Sequence, residues 1–355
     1  MTTRLRSLFL ILLAFACGAS AADKPSFVVG WSVYAGWNPW YYMGKSGTLR
    51  KWADKYNVSI RVQRFDYAAS LDAFVAKNID ACAMTNMEAL DMPAASGVAT
   101  TSIITGDYSN GNDAILARNN LTLQQLAGHK MLLVQKTVSQ YLYERAMTLN
   151  GLEAQIRKVK LINTSDTDIA TAFIADTTQD SVATWKPMVS QIAKAKGVKS
   201  LFSSAQIPGE ILDLMVVRTE ILNRPDGSGQ RFAKALAGAW YETMQQMSAA
   251  ATADKVLREI AAASEDSLES YKEQLATTNL FYTPAAAVAF TSAPDFRQKM
   301  NLVRQFCFAH GLLGGVAAAD DVAIAYPDGT IQGKPNKVML RFDITYMRLA
   351  QQGGL

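Results

Sequence analysis

Asp80-Ala-Cys-Ala-Met-Thr85 returns 100 residues later, one residue shorter, as Asp180-Ser-Val-Ala-Thr184. Each run follows a helical stretch, Ala73-Phe74-Val75-Ala76 in one case and Ala172-Phe173-Ile174-Ala175 in the other. Farther on, Asp113-Ala-Ile-Leu-Ala-Arg118 is matched by Asp213-Leu-Met-Val-Val-Arg218 at the same offset. A constant long offset between helix–strand units predicts two α/β lobes of similar build. The runs 113–118 and 213–218 read as strands by which the chain crosses between them. Two crossings make the first lobe discontinuous: residues 22–115 with 216–355, around a second lobe of residues 116–215. A ligand cleft is expected between the lobes.

The bulk properties agree with two lobes. At 355 residues the chain exceeds a typical single domain. An apolar content of 49% supports sizeable cores, while charged residues, at 19%, fall below the usual quarter. The formal net charge of +4 includes Arg4 and Arg6; without them the balance is +2. No Lys/Arg run is present, so nucleic acid is not an expected partner. Residues 1–21 read as a secretory signal: a basic start at Arg4 and Arg6, a short apolar core over 8–16, and Ala19-Ser20-Ala21 for cleavage. That core is too short to span a bilayer. Cys17 raises the question of lipidation, but Phe15 is bulky where a lipoprotein signal carries a small residue. Cleavage after Ala21, an exported soluble monomer and no lipid anchor are therefore expected. Cys82 lies in an apolar strand and Cys307 in a helical pattern, so both read as buried free thiols.

Strands are predicted over 27–31, 58–65 and 79–84, alternating with helices over 47–56, 70–77 and 87–95. Short strand–helix alternation implies a mostly parallel sheet covered on both faces. In the second lobe, strands over 130–135, 158–163 and 182–184 alternate with helices over 138–149, capped by Thr137, and 166–176. Helices over 230–251, 252–264, 267–276 and 295–310 follow the return crossing. In the last, Met300, Val303 and Cys307 share an apolar face. Tyr326-Pro-Asp-Gly329 signals a turn, followed by a strand over 338–340 and a final helix.

No enzyme constellation stands out. His129 and His310 lack ligand-like spacing, and there is no nucleophile elbow, phosphate loop or metal motif. No catalytic residue, cofactor or metal is expected. The informative residues gather where loops leave strand ends, the place where open α/β sheets bind ligands. Trp31-Ser-Val-Tyr34-Ala-Gly36-Trp37-Asn38-Pro39-Trp40-Tyr41-Tyr42 holds six aromatic residues in twelve positions. Such a wall suits a small planar or cationic ligand, with two or three of the six facing the cleft and the rest packing the loop. Thr85 and Glu88 at the next strand end either fix a polar ligand or serve the helix start. Asp107 and Asp113 bracket a polar loop that receives a cation or N–H donors, or forms an Asx-type turn. Ser139 opens a helix whose free N–H groups hold an anion, or are simply capped. Trp185 occupies the position matching Thr85 to Glu88, facing the aromatic loop or packing in the core. Asp213 mirrors Asp113.

Together these residues resemble the solute-binding proteins of ABC importers for nitrate, sulfonate, taurine and thiamine-precursor pyrimidines. The resemblance rests on Gly30-Trp31 with its aromatic loop, Ile79-Asp-Ala-Cys-Ala-Met-Thr-Asn-Met-Glu88, Val138-Ser139, and Val182-Ala-Thr-Trp-Lys-Pro187. Asp107-Tyr-Ser-Asn-Gly-Asn-Asp113, Arg304-Gln-Phe-Cys-Phe-Ala-His-Gly311, Ala325-Tyr-Pro-Asp-Gly329 and Leu340-Arg-Phe-Asp-Ile-Thr-Tyr346 resemble the urea-carboxylase-associated branch. The resemblance implies a two-lobed periplasmic binding protein fold, type II-like, that closes on a small molecule and docks on an inner-membrane permease. It implies that Trp31, Trp37, Thr85, Glu88, Asp107, Asp113, Ser139, Trp185 and Asp213 face the cleft. The carboxylates lean toward a guanidine- or urea-like solute, which accepts aromatic faces and forked acceptors. One alternative is a nitrate, sulfonate or taurine binder using Ser139, the helix start and Lys186; a pyrimidine is another candidate ligand. A further alternative is an enzyme acting on pyrimidine precursors, which would need a reactive His or Cys in the cleft.

Overall fold

Two central strands, Thr100–Ser109 and Leu212–Arg218, organise the molecule, and the first of them has no apolar run to announce it. The computed structural model describes residues 24–355; the expected signal segment, Cys17 included, lies outside the described residues. Thr100–Ser109 pairs along its length with Leu212–Arg218, which pairs on its other side with Ala81–Thr85. Ser26–Trp31 and Ser59–Arg64 extend the sheet on that flank. Val338–Phe342, Ala323–Ala325 and Ile331–Gln332 extend it on the other, making with Thr278–Leu280 a nine-stranded sheet. The second sheet has five strands in the order Lys160–Asn163, Lys130–Leu133, Ser181–Thr184, Ala114–Ala117, Lys199–Ser203.

Both sheets are mixed. Among the described residues, the first has four parallel and four antiparallel pairings, the second two of each, so parallel pairing is half of the total rather than most of it. The reason is the returning strand: Leu212–Arg218 runs antiparallel to both its neighbours, and Ala114–Ala117 does the same in the second sheet. The chain changes sheets between Ser109 and Ala114 and returns between Ser203 and Leu212. Divisions at 115/116 and 215/216 thus cut through Ala114–Ala117 and Leu212–Arg218.

The sequence echo has a physical basis. The Asp80 carboxylate accepts the Val28 N–H at 2.9 Å, and the Asp180 carboxylate accepts the Lys130 N–H at 2.9 Å. Each aspartate pins the neighbouring strand at its far end from the cleft. The arginines cross over: Arg218 donates its N–H to the Asp80 carbonyl at 3.3 Å, and Arg118 donates to the Asp180 carbonyl at 3.0 Å. Each crossing strand thus ends beside the buried strand of the other copy's number. Both arginines are buried structural groups, Arg218 paired with Asp80 at 3.2 Å and Arg118 lying over the Phe173 ring.

Helices cover the sheets much where periodicity puts them. Val138–Leu149 starts at Thr137, whose hydroxyl accepts the Ser139 N–H at 3.3 Å. Ser228–Ser248 buries Phe232, Leu236, Trp240, Met244 and Met247, and Gly238 lets the Trp52 ring of Thr48–Lys55 lie against its backbone. Phe296–Ala309 buries Met300, Val303 and Cys307, and Cys82 and Cys307 are free and buried. Gly329, at φ 82°, closes the turn between Ala323–Ala325 and Ile331–Gln332, donating to the Tyr326 carbonyl at 3.0 Å. Among the described residues, no helix is long and apolar enough to cross a membrane.

Candidate functional site

Thr85, Asp213 and Asp107 stand in one row across three adjacent strands of the first sheet, at the end facing the second lobe. Paired residues in a row project to the same face, so their side chains meet. Asp107 therefore lies inside the strand Thr100–Ser109 rather than in a loop; the connecting loop is only 110–113. Asp113 comes in at that loop, its N–H held by the Ser109 hydroxyl at 3.1 Å.

Tyr34, Trp37, Tyr67, Thr85, Asp113, Val138, Trp185, Ile211 and Asp213 line a partly open cavity of about 20 Å³. That is room for about one water molecule. The first lobe supplies most of the wall; Val138 and Trp185 come from the second. Four rings form a continuous surface. Tyr34 and Trp37 have centroids 5.1 Å apart, Trp37 and Tyr67 5.1 Å, and Tyr67 meets Trp185 edge-on at 6.1 Å.

The electrostatics are one-sided. Among the described residues, no lysine, arginine or histidine lines the cavity. Burial raises the Asp107 and Asp113 carboxyls to about 7 each. Hydrogen bonding from Asp213 and Tyr34 works against the rise at Asp107, and hydrogen bonding from Ser109 does so at Asp113. Burial, then the charges of Asp107 and Asp113, push Asp213 well above the usual carboxylate range. Two buried carboxylate oxygens, Oδ2 of Asp107 and Oδ2 of Asp213, have no hydrogen-bond partner, nor do the Trp37 indole N–H and the Ser139 hydroxyl. A Cβ on Gly36 would collide with the Asp107 carboxylate, so only glycine lets the aromatic loop cross there. Among the described residues, no group of three or more His, Cys, Asp or Glu could hold a metal ion.

Glu88 sits one layer behind. Its carboxylate accepts from the Tyr67 hydroxyl at 3.0 Å, from the Thr85 hydroxyl, and from the Val138 N–H of the second lobe at 3.3 Å. The helix start singled out as an anion site is thus already occupied: Glu88 takes the Val138 N–H and Thr137 takes the Ser139 N–H. Lys186 turns away, its ammonium on the Thr277 hydroxyl at 2.9 Å and the Glu273 carbonyl at 3.3 Å.

The structure thus brings Trp37, Thr85, Asp113, Trp185 and Asp213 into the wall, with Asp107 and Glu88 behind it. Ser139 is buried in the helix start, outside the lining. Trp31 is not in the wall either. Strand alternation puts it on the core face with Phe27 and Val29, where Phe27 stacks on Phe232 at 4.3 Å and Trp31 packs 6.0 Å from Tyr41. Of the six loop aromatics, Tyr34 and Trp37 line the cavity; Trp40 stacks on Trp240 instead. Val138 belongs to the Val138-Ser139 motif, whereas Tyr67 and Ile211 fall outside every motif read from the sequence. Tyr67 had a usable signal, since it follows the strand Ser59–Arg64 by the same rule that marked the other strand ends.

No family model matches the chain, and no curated protein matches it either. Solved structures do. The alkanesulfonate-binding protein SsuA from Xanthomonas axonopodis pv. citri, bound to MOPS, superposes with a TM-score of 0.66 at 14% identity, over 82% of this chain and 96% of that one. The chain has the periplasmic binding protein fold. The periplasmic aliphatic sulphonate binding protein SsuA from Escherichia coli matches with a TM-score of 0.64 at 15% identity, over 81% of this chain and 94% of that one. The periplasmic nitrate-binding protein NrtA from Synechocystis PCC 6803 matches with a TM-score of 0.56 at 11% identity, over 92% and 99%.

Proposed function

We propose that this chain is the extracytoplasmic solute-binding component of an ABC importer, and that its ligand is a small planar cation of the guanidinium type, with urea as the neutral analogue. One observation carries the ligand class: a cavity walled by four aromatic rings, Asp113 and Asp213, with no basic side chain from the described residues. A guanidinium ion offers forked N–H donors to carboxylates and a flat face to rings. In this reading Asp213 and Asp113 accept the ligand's N–H groups, Asp107 supports Asp213 from behind, and Trp37 and Trp185 bound its plane. The ligand is held as the two lobes close, and a membrane permease receives it unchanged from the periplasm. Micromolar binding needs about −8 kcal/mol, within reach of a few charged hydrogen bonds in a dry cleft.

An anion is the second reading, favoured by the unpartnered Ser139 hydroxyl and by the sulfonate and nitrate binders that share the fold. It lacks a positive charge, because the helix-start N–H groups and Lys186 are already engaged and the donors left over, the Trp37 indole N–H and the Ser139 hydroxyl, are neutral. The test is a thermal shift of the mature protein against guanidinium, urea, methylguanidine, taurine and nitrate. A ligand at about a hundred times its dissociation constant adds roughly 2.7 kcal/mol of stability. A shift with guanidinium or urea, with ligand recovered unchanged, is expected. A shift with only taurine or nitrate sinks the cation reading.

A further inference from the structure

Tyr67 and Trp185 line the inner cavity and also a larger neighbouring one of about 310 Å³, and among the described residues these two alone are common to both walls. The outer space lies between the lobes, with Leu71, Asp91 and Leu312 from the first and Val134, Thr137 and Asp166 from the second. We propose that Tyr67 and Trp185 form a size gate, one ring from each lobe, that restricts the inner chamber to unsubstituted planar cations. This rests on the cation reading above.

The geometry of the gate supports a fixed partition. The rings meet edge to face, 6.1 Å between centroids and 77° between planes. Tyr67 is held by three groups at once: its hydroxyl donates to Glu88 at 3.0 Å and accepts the Thr85 N–H at 3.1 Å, and its ring lies 5.1 Å from Trp37. The other oxygen of the same Glu88 accepts the Val138 N–H of the second lobe at 3.3 Å, so the bond that fixes Tyr67 also joins the lobes. Trp185 is fixed through the next residue, where the Lys186 N–H meets the Asn112 side-chain oxygen at 3.0 Å. A substituent on a ligand nitrogen directed at the gate has to part these rings and break the lobe contact. A chain that did pass would meet Leu71, Met92 and Leu312, then the carboxylates of Asp91 and Asp166.

Calorimetric titration of the full mature chain with guanidinium, methylguanidine and butylguanidine tests the gate. The wild type should bind butylguanidine about 100-fold more weakly than guanidinium. Tyr67→Phe keeps the ring and should preserve that ratio while weakening both ligands. Tyr67→Ala joins the two spaces and should narrow the ratio to about tenfold or less. Equal affinities for both ligands in the wild type overturn the gate alone and require no variant to fold. An unchanged ratio in folded Tyr67→Ala and Trp185→Ala also overturns it. No guanidinium binding by the wild type brings down the cation reading and the gate with it.

Discussion

At their far ends the buried strands of the two lobes are near copies; at the cleft they are not. Asp80 and Asp180 accept a strand N–H at the same 2.9 Å, and each has a crossing arginine on its carbonyl. At the cleft, the row Thr85, Asp213, Asp107 of the first sheet corresponds to Thr184, Ala114, Ser203 in the second. Two carboxylates in one row face a methyl and a hydroxyl in the other. Backbone pinning is shared because both sheets need it to order their strands. The proposed cation would use that asymmetry, taking charge from one side and a desolvating cover, Trp185 and Val138, from the other.

The far ends differ in one respect that mutation should expose. Arg218 spends its charge on Asp80, whereas Arg118 donates to the Phe173 carbonyl and Asp180 meets the half-exposed His129 at 3.2 Å. Asp80→Ala strands a buried guanidinium, though Glu220 still holds its Nε at 3.1 Å. It should therefore cost about 3 kcal/mol, the low end for a broken buried pair. Asp180→Ala loses the Lys130 N–H bond and should cost about 1 kcal/mol. Urea denaturation measures both, and equal losses would mean that the arginines do not distinguish the lobes.

At the cleft ends, Asp213→Asn should weaken guanidinium binding by about 2–3 kcal/mol, because it removes the carboxyl that would ionise to meet the cation, without changing shape. Ser203→Ala, in the matching row, should change binding by less than about 0.5 kcal/mol. Titration calorimetry compares them; similar effects would return the site to both lobes.

Acidity sharpens the same asymmetry. Burial holds Asp107 and Asp113 at about 7, above an ordinary value near 3.9. Between about pH 4 and pH 7 the folded state keeps protons that the unfolded chain releases. The stability these groups contribute is therefore full below pH ~4 and is lost as the pH rises through about 7. A cation prefers the ionised pair, so its affinity should move the other way, by up to about tenfold per pH unit near 7. Scanning calorimetry from pH 5 to 8, with and without guanidinium, should show a falling midpoint for the empty protein and a growing ligand-induced gain. A gain that shrinks with pH would indicate an anion. A small effect should also come from Lys186→Ala: less than about 1 kcal/mol on binding, since its ammonium bridges to Thr277 and does not line the cavity. A large loss of nitrate or taurine binding in that variant would revive the second reading.

The α/β build, most helix positions, the buried thiols and the paired aspartates were determined by sequence alone, because hydrophobic period and a repeat at fixed offset are local signals that survive any packing. The strand Thr100–Ser109 was not legible. It is rich in Thr and Ser, and its burial comes from neighbours on both sides rather than from its own apolar residues. That single element decides where Asp107 stands. Strand-end position drew Trp31 and Trp37 equally, yet strand parity sends Trp31 to the core and leaves Trp37 in the wall. Tertiary structure alone decided which carboxylates meet. Asp107, Asp113 and Asp213 come from chain positions up to 106 residues apart. Only strand register and the approach of the second lobe put them around one cavity and close Tyr67 against Trp185 over it.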